Sequence, residues 1–150
     1  ESLQIYSLGT SADWIAQLTQ TGASTPVLAD NIVTLIVLPE RTATDTGATL
    51  APAFSYDSRD TGNSLTRHQL PPRVRLALVA MDEASALLLA HRYGSTPPPL
   101  VPATLFQTAM QLDADLATLD ASLTAQKINH RLFQREIVLN AAAWSNATSP

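Results

Sequence analysis

The apolar positions of this chain mark out strands before they mark out anything else. Asn31 to Leu38 reads Asn-Ile-Val-Thr-Leu-Ile-Val-Leu, almost wholly apolar and rich in β-branched residues. Such a run predicts a central strand covered on both faces, ended by Pro39. Arg73 to Met81 alternates instead. Val74, Leu76, Leu78 and Ala80 fall on one face, and Arg73, Arg75, Val79 and Met81 on the other, so that face is wet at one end and buried at the other. Arg131 to Leu139 predicts a last strand, and Leu3-Gln4-Ile5-Tyr6 a short opening one.

Helices follow from caps and a longer period. Ser11 can cap a turn over Asp13 to Leu18 that ends near Gly22. Asp82 predicts the N-cap of a helix from Glu83 to Tyr93, with His91 and Arg92 complementing the dipole in its last turn and Gly94 stopping it. Pro97 to Pro99 form a stiff connector. Thr104 and Gln107 have capping-box spacing, and behind them Leu105, Ala109, Leu112, Leu116, Leu119 and Leu123 repeat at alternating steps of four and three. This predicts a helix over 104–125 that lies on a sheet or on a neighbouring helix; the stripe is too short for a free coiled coil. Between Glu40 and Pro72 the chain turns to Thr, Asp, Gly, Ser and Pro, a long irregular insert broken only around Ala53-Phe54-Ser55-Tyr56. Residues 145–150 read as a frayed polar tail.

Together these elements predict one α+β domain spanning residues 1–150. It has a mainly antiparallel sheet (31–38, 73–81, 131–140) covered by helices near 83–93 and 104–125, with the 40–72 loop as an insert.

Composition narrows the function classes. Charged residues make up 15% of the chain, against about 25% in an average domain, so Thr, Ser, Gln and Asn supply much of the polar surface. This suits an extracytoplasmic or assembled protein. The net charge is −4 and the pI about 5.1. The nine basic residues form no stripe, which argues against nucleic acid as a partner. The absence of cysteine removes thiol catalysis, disulfides and cysteine-based zinc sites. No apolar run approaches the roughly 18 residues of a membrane helix; the longest, Ile32 to Leu38, is interrupted by Thr34. The chain opens at Glu1 without a methionine and reads as trimmed or processed, which leaves room for an anchor or signal segment upstream.

Candidate chemistry is sparse. His68, His91 and His130 stand far apart, none at metal-ligand spacing, and no Gly-x-Ser-x-Gly elbow or phosphate-cradling glycine loop occurs. Asp82-Glu83 is a paired carboxylate at a strand-to-helix junction, which a helix cap and a first-turn acid explain. A hydrolase would need a pocket in which Asp82, Glu83 or a histidine meets a serine. Asp57, Asp60 and Asn63 lie around Gly62 at spacings with which a calcium loop begins, but the closing bidentate Glu is missing and Arg59 sits in their midst. The same residues are turn formers. No cofactor is expected. Asn146-Ala147-Thr148 matches a glycosylation acceptor in the tail. The loop residues Phe54, Tyr56, Asp57 and Arg59 define a candidate interaction surface, whose alternative role is adhesion: recognition of a glycan or protein through the 40–70 loop.

Several segments carry a family resemblance. They are Asp30 to Pro39, Tyr56-Asp57-Ser58-Arg59, Gln69-Leu70-Pro71-Pro72, Val79 to Ala86, Arg131-Leu132-Phe133 and Ala143-Trp144-Ser145. In order and spacing they resemble the prepilin-type family known as Verru_Chthon cassette protein C, over nearly the whole chain. More distantly they are similar to PilW-like minor pilins and the J-type pseudopilin of type II secretion. Phe133, Ile137, Leu139 and Asn140 echo the last strand of those proteins, while Val138 and a missing Arg depart from it. The resemblance implies a pilin-like head whose full-length form is tethered in the inner membrane by an N-terminal helix absent from this chain. It implies a non-enzymatic structural role in a type IV pilus-like or type II secretion-like assembly, a periplasmic or cell-surface location, and other pilin-like subunits as partners.

Overall fold

The computed structural model describes residues 3–4, 27–42, 49–140 and 142. Over these the protein is α+β. A three-stranded antiparallel sheet in the order β3-β4-β5 is formed by Ile32–Glu40, Arg73–Met81 and His130–Val138. The short strands β1 (Leu3–Gln4) and β2 (Val27–Ala29) pair separately. Two helices, α1 (Glu83–Tyr93) and α2 (Leu112–Ala125), follow β4, and a 3-10 turn over Ala109–Gln111 leads into α2. The turn of helix expected over Asp13 to Leu18, the tail from 145 and the Ala143-Trp144-Ser145 segment lie outside the described residues.

The central strand is β4, and the Asn31 to Leu38 run makes an edge strand. In register, Leu35 faces Leu78 and Phe133, Val37 faces Leu76 and Arg135, and Pro39 faces Val74 and Ile137. The expected cover on both faces of this strand is therefore corrected: Leu35 is 42% exposed and Val37 49%. A nearly all-apolar run does not require two covers, because the described helices reach one face only. Pro39 does not end the strand either. Pairing continues to Glu40 opposite Arg73, and a proline is compatible with a strand that lies at the edge of its sheet.

The other face carries the core. Ile36, Leu38, Ala77 and Val79 pack with Leu89 of α1 and with Leu112, Leu116, Leu119 and Leu123 of α2. The leucine stripe read from the sequence is the buried seam of α2. Its predicted start at Thr104 is corrected. Phe106 sits at φ +58, outside any helix, and the Gln107 amide donates to the carbonyls of Ala103 and Leu105 in place of a capping box. The Phe106 N–H instead donates to the buried Asp115 carboxylate at 2.8 Å, fixing the turn that delivers the chain to α2.

The Asp82 cap forms as expected: its Oδ1 accepts from the Ser85 N–H at 2.8 Å, and Gly94 closes α1 at φ +60. At the far end of α2 the Ile128 N–H donates to the Leu123 carbonyl and the Lys127 N–H to that of Thr124. Such a pair of bonds is a Schellman closure, with buried Leu123 and Ile128 as its apolar contact. It requires a left-handed residue, and Lys127 supplies it at φ +59.

The described part of the insert docks on the core. Leu50, Ala51 and Thr66 are buried, and the Ala109 N–H donates to the Pro52 carbonyl at 2.8 Å.

Candidate functional site

Asp82, His130 and the loop carboxylates singled out for chemistry are engaged in holding the fold. Asp82 Oδ2 accepts from the Asn129 amide at 3.0 Å, the Ser85 hydroxyl accepts from the Asn129 N–H, and the Asp82 N–H donates to the Asn129 carbonyl. The start of α1 is thereby clipped to the turn before β5. Hydrogen bonds from Ser85 and then Asn129 hold the Asp82 carboxyl below its ordinary range, which keeps it a charged cap. Glu83 points elsewhere, lining a groove with Asp30, Ile32, Met81, Leu87 and Pro97 of about 880 Å³.

His130 is the last-strand residue opposite Met81, with its side chain only 7% exposed. Its Nδ1 lies 2.9 Å from the Ile128 carbonyl and its Nε2 2.8 Å from Asp120. Burial works against its charge, but the Ile128 carbonyl and the Asp120 carboxylate together outweigh that and raise its pKa. Both neighbours are acceptors, so only the doubly protonated ring donates to both. The pair fastens α2 to β5.

In the loop, Asp57 accepts from the Arg59 backbone and guanidinium, Asp60 from the Gly62 N–H, and Asn63 from the Leu65 N–H. Each of the three calcium candidates thus caps its own turn, the turn-forming role open to them from the start. Among the described residues no group of three or more His, Asp or Glu is gathered as a metal site. Phe54 and Tyr56 both pack against the core, and the Tyr56 hydroxyl donates to the Gln69 carbonyl across the loop at 3.0 Å. Burial raises its pKa. Of the candidate interaction residues only Asp57 and Arg59 face solvent, paired with each other.

Among the described residues, one surface left open to a partner is the sheet itself. Directly opposed residues of antiparallel strands share a face, so Leu35 and Val37, Val74, Leu76 and Leu78, and Phe133 and Ile137 form one block three strands wide, with Arg135 between the last two. With strands about 4.8 Å apart the block is ~10 Å across. Leu35, Val37, Phe133 and Ile137 are each 41–51% exposed, and only Arg131 and Arg135 bring charge to β5 on this side. A contiguous apolar block of this kind marks a contact surface more often than a scattered exposed leucine does. Its signal in the sequence was the combination of a nearly all-apolar strand with Phe133 and Ile137 two turns of the pleat apart. The number of helices cannot be read as the number of covered faces.

No protein-family model, curated protein or solved structure matches this chain. Among the described residues no helix is long and apolar enough to cross a membrane.

Proposed function

We propose that this chain is the head of a structural, non-catalytic subunit, similar to a minor pilin or pseudopilin, that packs against like subunits in a pilus-like or secretion-like envelope assembly. The observation that carries the reading is the open apolar face of β3-β4-β5, beside a set of polar residues whose hydrogen bonds are spent inside the fold. The shifted pKa values of Asp82 and His130 are accounted for by their structural partners and not by a cleft. The segment resemblance to the Verru_Chthon cassette protein C family supplies the assembly context: a membrane-tethered precursor, a periplasmic or surface location, and pilin-like neighbours.

Site-specific photo-crosslinking in cells tests it. A crosslinker at Val37 or Phe133 in the full-length protein is expected to capture pilin-like subunits, and one at exposed Gln126, at the end of α2, to capture far less. Equal capture from both positions, or partners with no prepilin character, would sink the reading.

A further inference from the structure

We infer that β5 is a self-complementary edge, and that two copies of this chain join there, β5 against β5, into one continuous six-stranded antiparallel sheet. The inference goes beyond the assembly reading and does not depend on it.

The two edges of the sheet differ. On β3 the register slips at a bulge between Ile32 and Thr34, and Pro39 removes a donor; both are devices that blunt an edge against pairing. Along β5 the register with β4 runs unbroken from His130 to Val138, without proline or bulge. Every residue of that strand except His130 is exposed, Leu132, Phe133, Ile137 and Val138 among them. The direction of its backbone groups is settled by the strand ends. The Asn129 carbonyl accepts from Asp82 and the Leu139 N–H donates to Pro72, so odd-numbered residues bond toward β4. The N–H and C=O groups of Leu132, Gln134, Glu136 and Val138, with His130, therefore point away from β4 along the free edge.

Charge then selects the register. A two-fold axis through Gln134 opposes Leu132 to Glu136, Phe133 to Arg135 and Arg131 to Ile137, and makes roughly ten main-chain hydrogen bonds. No like charges stand directly opposite, and each Arg135 guanidinium comes within reach of a Phe133 ring in the other copy. The two Arg135 side chains are left as diagonal neighbours only. Slipping by two residues, the smallest shift that keeps outward groups opposed, sets Arg131 against Arg135 in one direction and Arg135 against itself in the other. Like charges directly across a strand pair are destabilising. An isologous pair closes on itself, so this contact makes a dimer and no longer array.

Sedimentation equilibrium of the 150-residue chain at ~100 μM, a concentration that reveals even micromolar affinity, is expected to give twice the 16.0 kDa chain mass. Gln134→Pro removes the central outward donor and leaves the bonds to β4 in place; it should weaken the dimer at least tenfold. Phe133→Arg, which opposes two cations in each half, should do the same, and adding Arg135→Glu should restore the dimer. Circular dichroism confirms that each variant is folded. A monomer at ~100 μM, a dimer indifferent to Gln134→Pro, or a double variant that stays monomeric while folded would overturn the inference; the last result would point to packing through the open face instead.

Discussion

The two faces of the β3-β4-β5 sheet both carry large apolar residues and meet opposite fates. On one, Ile36, Leu38, Ala77 and Val79 are at most 8% exposed beneath α2. On the other, Leu35, Val37, Phe133 and Ile137 are 41–51% exposed. Hydrophobicity of the strands does not decide which face is covered: Arg73, Arg75, Gln134 and Glu136 share the covered face, and only Arg131 and Arg135 bring charge to the open one. What does is the supply of a matching partner: the seam from Ala109 to Leu123 fits one face, and its helix can lie on only one. Small residues mark the covered side, where Ala77 lets α2 approach, while the open side presents side chains long enough to reach a partner.

The covered face is most vulnerable at the seam. Leu119, with no exposed surface, becomes a cavity on Leu119→Ala, and stability measured by urea denaturation should fall by about 2–5 kcal/mol. Ala77→Leu tests the same interface from the sheet side. Overpacking beneath α2 should cost about 1–3 kcal/mol, whereas the neighbouring Leu76→Ala, on the open face, should cost less than Leu119→Ala by more than half. Lys127→Gly should act in the opposite direction, raising stability by about 0.5–1 kcal/mol because glycine takes a left-handed conformation without the crowding of a Cβ.

A smaller effect concerns the bond between α2 and β5. Since the folded pKa of His130 is raised above the ordinary 6.5, its contribution to stability is complete below that value and is lost as pH rises through the folded pKa. Thermal unfolding should show a melting temperature declining upward from pH 6.5, with the decline reduced in His130→Gln. Asp82 runs the other way: its lowered pKa stabilises above the ordinary 3.8 and fails as acid protonates it. The smallest expected change lies on the open face. Val37→Thr should alter stability by no more than ~0.5 kcal/mol while lowering the capture of partners through the open face. A loss as large as that of Leu119→Ala would show that the face is covered after all.

Much of this architecture was legible in the residues. The α1 helix appeared with both its ends, because Asp82 and Gly94 act locally: a side-chain oxygen reaches an N–H three residues on, and a glycine takes a positive φ at no steric cost. The α2 seam was legible from Ala109 onward for the same reason, period against period. Its start was not. Thr104 and Gln107 have the spacing of a cap, but Asp115, nine residues from Phe106, competes for the backbone N–H and wins by being buried beside it. The Lys127 turn gave no sign of itself, since the left-handed position carries a residue with no preference for it.

The candidate site follows the same division. Local chemistry determined that Asp57, Asp60 and Asn63 form turns, that Asp82 caps a helix, and that the strands and the leucine seam are apolar enough to need cover. Which of those stretches obtained cover was decided only by tertiary structure. Strand order made the Asn31 to Leu38 run an edge, and one helix on one face left Leu35, Val37, Phe133 and Ile137 facing outward. A strand records which of its residues share a face, because side chains alternate along it, but it holds no record of what lies above that face. That is fixed by where the rest of the chain comes to rest.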